Sequence, residues 1–264
     1  MSWILLTNDD GPDSPALVPF ARALAPMGEL RVVVPREERS WVGKAITRFE
    51  PVHVEKADRD GVSMWLCSGY PADGVQLGIN GLFSEPPELV ISGINLGYNH
   101  GAGYILSSGT IGAAFEAWVS GVPALAFSTG TMSDWNEWRA RAKSPQAADD
   151  WIRLGRLCAD MTAEIRGTTL ADEADIVSVN LPYESDEHTP RQVTSIARVG
   201  YDKLFRADGE GRFVHSFGGA FRQFDVLDGT DVDAAHRRQI SITPIRMPQA
   251  ASLSEEMIRE LEQS

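Results

Sequence analysis

The feature that most constrains this chain is a recurring alternation of short, wholly apolar runs with segments whose apolar residues fall at helical spacing. Trp3 to Leu6 is one such run; it ends at the turn Asn8-Asp9-Asp10-Gly11, and Pro15 opens a helix carrying Leu17, Phe20, Ala21 and Leu24 on one face. Leu30 to Val34, Leu89 to Ser92, Ala124 to Ser128 and Ile176 to Leu181 are further runs. Pro71 starts a helix with Val75, Ile79 and Leu82 on one side, Ile111, Phe115, Trp118 and Val119 mark a second, and Trp151, Leu154, Cys158, Met161 and Ile165 a longer third. A strand that is apolar at every position must be buried on both faces, which a parallel sheet covered by its crossover helices achieves. The expected fold is therefore α/β, with its ligand site beyond the carboxyl ends of the strands.

The remaining segments are less regular. Arg36 to Thr47 is a polar loop long enough to carry a function. Val52 to Val54 and Val62 to Leu66 read as strands, Gly93 to Gly109 as a glycine-rich loop, and Thr131 to Asp150 as a surface excursion or lid. The α/β core is expected to finish near Pro182. Between Val193 and Phe224, extended pieces broken by Gly200, Gly209, Gly211, Gly218 and Gly219 suit β-hairpins in an oligomerisation arm. Gln239 to Thr243 gives a last strand, and Ser252 with Glu255 a capping-box start for a helix containing Met257, Ile258 and Leu261. The expected division is a catalytic core over 1–190, an extended hairpin arm over 191–235, and a return strand with a C-terminal helix over 236–264.

Composition narrows the function. With 24 Lys and Arg against 37 Asp and Glu the net charge is −13, and no basic run is present, which argues against duplex nucleic acid or an anionic membrane as partner. No apolar run approaches the ~20 residues that span a bilayer. The start Met1-Ser2-Trp3-Ile4-Leu5-Leu6 lacks the basic n-region of a secretory signal, so a cytoplasmic location is expected. Cys67 and Cys158 form no Cys-x-x-Cys pair and read as buried free thiols.

Asp9 and Asp10 are adjacent carboxylates on a tight turn, and both can face one small volume only if something positive fills it; a divalent cation is the simplest filler, and a plain turn or helix cap the competing reading. Ser40 and Asn95 lie at two other strand ends and would complete an all-oxygen shell suited to Mg²⁺ or Mn²⁺. Ser108-Gly109-Thr110 opens a helix whose free N–H groups cradle an anion, or simply has Ser108 as its cap, and Asn99 could orient the same anion. There is no P-loop, no Gly-x-Ser-x-Gly elbow, and only a weak dinucleotide fingerprint at Gly101-Ala102-Gly103. Of the five histidines, His100 alone lies in the suspect loop.

In order along the chain, Leu5-Leu6-Thr7-Asn8-Asp9-Asp10-Gly11, Arg39-Ser40-x-x-Gly43-x-x-Ile46-Thr47, Pro71-Ala72-Asp73, Ser92-Gly93-Ile94-Asn95-x-Gly97-x-Asn99-x-Gly101 and Ser108-Gly109-Thr110-x-Gly112-Ala113-Ala114 resemble the SurE family of survival-protein nucleotidases. The likeness continues through Val179-Asn180-Leu181-Pro182, Gly229-Thr230-Asp231 and Ile240-Ser241-Ile242-Thr243-Pro244. The family's usual Gly-Thr-Pro-Ala-Asp-Cys reads Gly69-Tyr70-Pro71-Ala72-Asp73-Gly74 here.

The resemblance implies a Rossmann-like core with an arm exchanged between subunits as a homodimer or homotetramer, and a metal-dependent phosphomonoesterase acting on nucleoside 5′- and 3′-monophosphates. Carried over by position, Asp9, Asp10, Ser40 and Asn95 would hold one divalent metal per subunit, with Asp9 and Asp10 catalytic. Asn99, Ser108, Gly109 and Thr110 would hold the phosphate. Asp9 would serve as general base or as nucleophile. Two alternatives use the same residues: a nucleotide-binding regulator without chemistry, and a structural oligomer in which they are caps.

Overall fold

Apolar residues at successive positions of the first run alternate between two cores. A computed structural model describes residues 3–216, 221–247 and 252–262. In β1 (Trp3–Thr7), Ile4 and Leu6 face the core that holds Leu17, Phe20 and Leu24 of α1 (Leu17–Leu24) and Trp151 and Leu154 of α6 (Ala148–Arg166). Trp3 and Leu5 face the opposite core, with Val75 and Ile79 of α2 (Pro71–Asn80) and Ile111 and Ala114 of α4 (Gly109–Val119). Both faces are thus covered, as a run with no polar position requires.

The other strands of this sheet are β2 (Glu29–Pro35), β3 (Val54–Arg59), β4 (Val62–Cys67), β5 (Leu89–Leu96), β6 (Ala124–Gly130), β7 (Ile176–Pro182), β8 (Arg191–Val193) and β13 (Ile240–Ile245), in the order β3-β4-β2-β1-β5-β6-β7-β13-β8. From β4 to β7 every neighbouring pair is parallel. Winding reverses between β1 and β5, which opens a crevice beyond their carboxyl ends.

Several elements depart from the sequence expectation. The strand expected at Val52–Val54 begins at Val54 and runs antiparallel to β4, because Asp60 and Gly61, with φ of 50° and 80°, make a tight turn that pairs Arg59 with Val62. The sheet does not end at Pro182: β13 returns antiparallel to β7, and β8 joins beside it. The glycine-rich stretch contains a helix, α3 (Gly101–Ser107), and the excursion after Thr131 contains α5 (Trp135–Ala142). In α4 the buried side is Ile111, Ala113, Ala114 and Ala117, whereas Trp118 and Val119 are exposed. Small residues win because α4 lies against the 36–47 loop so closely that a Cβ on Gly112 would stand 2.3 Å from the Gly43 carbonyl oxygen.

Beyond β8, short pieces form two antiparallel pairs: β9 (Val199–Tyr201) with β12 (Phe221–Gln223), and β10 (Phe205–Ala207) with β11 (Phe213–His215). Gly218 and Gly219, expected as breaks, lie outside the described residues. α8 (Asp231–His236) leads into β13. Two short helices complete the element order: α7 (Leu170–Glu173) precedes β7, and α9 (Glu255–Glu262) is capped by Ser254, whose Oγ accepts from Met257 N at 3.2 Å, rather than by Ser252. No described helix is long and apolar enough to cross a membrane.

Candidate active site

The turn after β1 is closed by one side chain acting in both directions: Asn8 Nδ2 donates to the Gly11 carbonyl at 3.0 Å, and Gly11 N donates to Asn8 Oδ1 at 3.1 Å. This self-bonded turn, an Asn speciality, leaves Asp9 and Asp10 at the crevice. Asp9 lies at the start of α4: Thr110 Oγ1 donates to Asp9 Oδ1 at 2.7 Å, and a Cβ on Gly109 would come within 2.8 Å of the Asp9 Cβ. Only glycine allows that approach. Asp10 turns to the other side of the crevice, where its Oδ2 accepts from Leu96 N at 3.1 Å.

Burial pushes the Asp9 carboxyl up to about 6, against the Thr110 hydroxyl bond and nearby N–H groups that pull it down. Burial and then the charge of Asp9 push Asp10 up to about 8. The charge of Lys143 pulls the Asp10 carboxyl down but is outweighed by burial and by Asp9, and two buried carboxylates side by side are an arrangement that favours a bound cation. Among the described residues no cluster of three or more His, Cys, Asp or Glu forms a metal site. A cation here would therefore be held by the aspartates and neutral oxygens, a hard-oxygen set that fits Mg²⁺ or Mn²⁺.

Asn95 precedes Leu96, whose N–H donates to Asp10, and Ser40 follows Arg39, whose N–H donates to the Asp9 carbonyl. The β5–β6 register shifts between Ser92 and Asn95, at Gly93, whose φ is +132° and where a Cβ would stand 2.3 Å from the Phe127 carbonyl oxygen. Such an irregularity re-aims the strand end. The Asn95 amide nitrogen donates to Gly97 O at 2.7 Å, which leaves its Oδ1 as the side-chain acceptor. The Ser40 loop is anchored by Arg39 N donating to Asp9 O at 2.7 Å and Gly43 N to Ser107 O at 2.8 Å. Ser40 Oγ donates to Glu38 Oε1 at 2.8 Å. Burial raises the Glu38 carboxyl, but Ser40, Arg139 and Lys143 outweigh it and hold it below the usual range.

The expected phosphate residues are divided. Ser108 caps α4, its Oγ accepting from Ile111 N at 3.1 Å, and Gly109 and Thr110 sit against Asp9. Asn99 belongs to the β5–α3 turn, where its amide donates to Ser128 Oγ at 2.8 Å and its backbone N to Asn180 Oδ1 at 2.8 Å. His100 is buried, stacks on Tyr98 with ring centroids 4.8 Å apart, and is pushed down to about 4 by burial, so it stays neutral.

Sequence reasoning missed several supports. Asn180 at the end of β7 and Asp231 of α8 hold the β5–α3 turn, Asp231 through Oδ2 to Gly101 N at 2.7 Å. Both stood in the motifs, but no local spacing shows what they hold. Arg139 and Lys143, from and just after α5, reach Glu38 at 3.0 and 3.4 Å. Asp73 accepts from Thr47 Oγ1 at 2.6 Å and from Tyr70 N at 2.8 Å, tying the far end of the Ser40 loop to the start of α2.

Fold and site together define a doubly wound α/β protein with a paired-carboxylate site at the winding reversal of its parallel sheet. The chain belongs to the SurE family: the sequence model described as Survival protein SurE matches residues 4–203. It is 37% identical over 252 residues to a 5′-nucleotidase SurE of Methanocella arvoryzae, covering 94% of this chain and 93% of that protein. It is also 37% identical over 262 residues to a 5′-nucleotidase SurE of Methanopyrus kandleri, covering 98% and 97%. The crystal structure of SurE protein from Aquifex aeolicus is similar, with a TM-score of 0.75 at 28% identity over 98% of this chain and 99% of that one.

Proposed function

We propose that this protein is a metal-dependent phosphomonoesterase that releases phosphate from nucleoside 5′- and 3′-monophosphates. The observation that carries the reading is the buried Asp9–Asp10 pair beside the amino end of α4, in a chain whose relatives carry the name 5′-nucleotidase. Asp9, Asp10, Ser40 and Asn95 would hold one Mg²⁺ or Mn²⁺, which supplies charge neutralisation of the phosphoryl group and acidifies water. The chain's own contribution is positional. Thr110 fixes the orientation of Asp9 with its hydroxyl, the amino end of α4 with Ser108, Gly109 and Thr110 would face the phosphate, the Gly109 N–H and the Ser108 hydroxyl being the donors turned to it, and Asn99 would add an amide. Phosphoryl transfer needs mainly positioning and charge stabilisation, so this small group suffices.

The same reading makes the protein a cytoplasmic homodimer or homotetramer. Support comes from the free, buried Cys67 and Cys158, which suit a reducing compartment, and from the exposed Val193, Phe205, Phe213 and Phe224 of the arm. The decisive experiment is phosphate release from a panel of nucleoside monophosphates with each divalent metal. Asp9→Asn should abolish turnover while leaving circular dichroism and melting cooperativity intact. Nucleotide binding without release under any metal would replace the enzyme by a regulator.

A further inference from the structure

A cluster of aromatic rings, which the proposed phosphate release does not use, adjoins the candidate site on two sides. Trp41 follows Ser40 in the chain, so its Cα stands about 3.8 Å from that of Ser40. Its ring meets Tyr201 of β9 and His215 of β11 with centroids 5.1 Å apart in each case, and Tyr104 of α3 at 6.0 Å. Tyr104 in turn packs edge-on against Tyr201 at 5.5 Å. On its other side the cluster reaches the start of α4: the Tyr201 hydroxyl lies 2.6 Å from Ser107 Oγ, one residue before the Ser108 cap, and Gly43 N donates to Ser107 O at 2.8 Å. The rings thus stand beside the Ser40 loop and beside the amino end of α4, where the phosphate would lie.

Packing of the arm does not account for all of Trp41. Its φ is 62°, a left-handed conformation uncommon for a bulky residue, and its side chain remains 38% exposed, so burial offsets only part of that cost. Strained residues of this kind cluster at positions that clamp a ligand. What Trp41 offers a ligand is an aromatic face. The cations on either side of it in the loop are engaged, Arg39 with Glu37 at 2.8 Å and Lys44 with Glu116 at 2.5 Å, so a second phosphate would meet rings in place of charge. A nucleobase, planar and with a π face of its own, is the part of a nucleoside monophosphate that stacks on such rings.

We propose that Trp41 is the stacking face for the nucleobase of the substrate and a specificity-determining residue of this protein, backed by Tyr104, Tyr201 and His215; the proposal rests on the nucleoside-monophosphate reading above. The test takes the metal-loaded wild type, Trp41→Leu and Trp41→Phe through two substrates: adenosine 5′-monophosphate, and ribose 5-phosphate, which carries the same phosphate and sugar without a base. The wild type should show the higher kcat/KM on the nucleotide. Trp41→Leu should lose about tenfold on the nucleotide, mainly through KM, and stay within about twofold of the wild type on ribose 5-phosphate. Trp41→Phe, still aromatic, should keep most of the preference.

Stopped-flow tryptophan fluorescence reads binding apart from turnover. Mixing with adenosine 5′-monophosphate should quench the wild type, and Trp41→Phe should lose the part of the quench that belongs to Trp41, which decides the matter even if Trp41→Leu does not fold. Equal kcat/KM of the wild type on the two substrates, equal losses of Trp41→Leu on both, unchanged nucleotide kinetics, or a quench identical in wild type and Trp41→Phe would overturn the stacking face and leave the phosphatase standing. So would a changed subunit number of Trp41→Leu in light scattering, which would make a second copy of the chain the occupant of this face. A quench at Trp41 in a wild type that releases phosphate from neither substrate under any metal would overturn the phosphatase and leave the stacking face as part of a binding site; neither release nor quench would overturn both.

Discussion

Asp9 and Asp10 set the pH behaviour of the whole site. Unfolded, both carboxyls titrate near 3.8; folded, burial and mutual repulsion hold their protons to about 6 and about 8. Between about pH 4 and pH 8 the folded protein binds more protons than the unfolded chain, so the contribution of this pair to stability falls as pH rises through that window. His100, lowered by burial to about 4, works in the opposite sense between its folded value and the ordinary 6.5, so the pair is best isolated by difference. Asp10→Asn should raise the melting temperature of the metal-free protein near pH 8 and leave it nearly unchanged near pH 4. Mn²⁺ should raise the wild-type melting temperature more at about pH 8 than at about pH 5, since a cation binds the ionised pair. Melting curves across pH, with and without metal, decide this; a wild type and variant with parallel profiles would mean the pair is compensated from within the protein.

At the scale of elements, the site is held by contacts between segments distant in sequence, and one of them is decisive for the β5–α3 turn. Asp231, at the start of α8, is fully buried and accepts from Gly101 N at 2.7 Å and from Ala197 N and Val232 N at 2.9 Å each. It thereby joins the turn bearing Asn99 to the base of the arm. Asp231→Ala leaves buried N–H groups without an acceptor and should destabilise the protein by about 3 kcal/mol in urea titration. Phosphate release should fall as well, even with metal saturating, because the Asn99 turn loses its anchor; full activity would show that Asn180 holds that turn alone. α4 teaches a related lesson about pattern. Of the residues that helical spacing put on one face, Ile111 is buried and Phe115 packs against the core, whereas Trp118 and Val119 lie outside and Ala113, Ala114, Ala117 and Gly112 take the close contacts, so the spacing located the start of the buried face and missed its far end, where close approach selects small residues.

For the whole molecule, the parallel core was legible because an unbroken apolar strand admits few environments, and the candidate site could be proposed because its residues cluster at strand ends within short motifs. The closure of the sheet was not: nothing local in Ile240–Ile245 shows that it pairs antiparallel with β7, and the link from Lys143 to Glu38 spans 105 positions. The arm lies between these cases, since its glycines marked hairpins without marking what they pack on. Its outer hairpin, β10–β11, has three residues per strand and leaves Phe205 59% and Phe213 66% exposed. An isolated two-stranded ribbon is marginally stable in water. In the proposed homo-oligomer a second copy of the chain would cover these phenylalanines. His215 ties the hairpin back toward the core side, against Trp41 with ring centroids 5.1 Å apart, and replacing residues 203–216 by two glycines should spare the sheet. Light scattering after size exclusion should then show a shift toward monomer, with a cooperative melt retained. An assembly of unchanged subunit number at the same concentration would remove the arm from the interface and place the contact elsewhere on the surface.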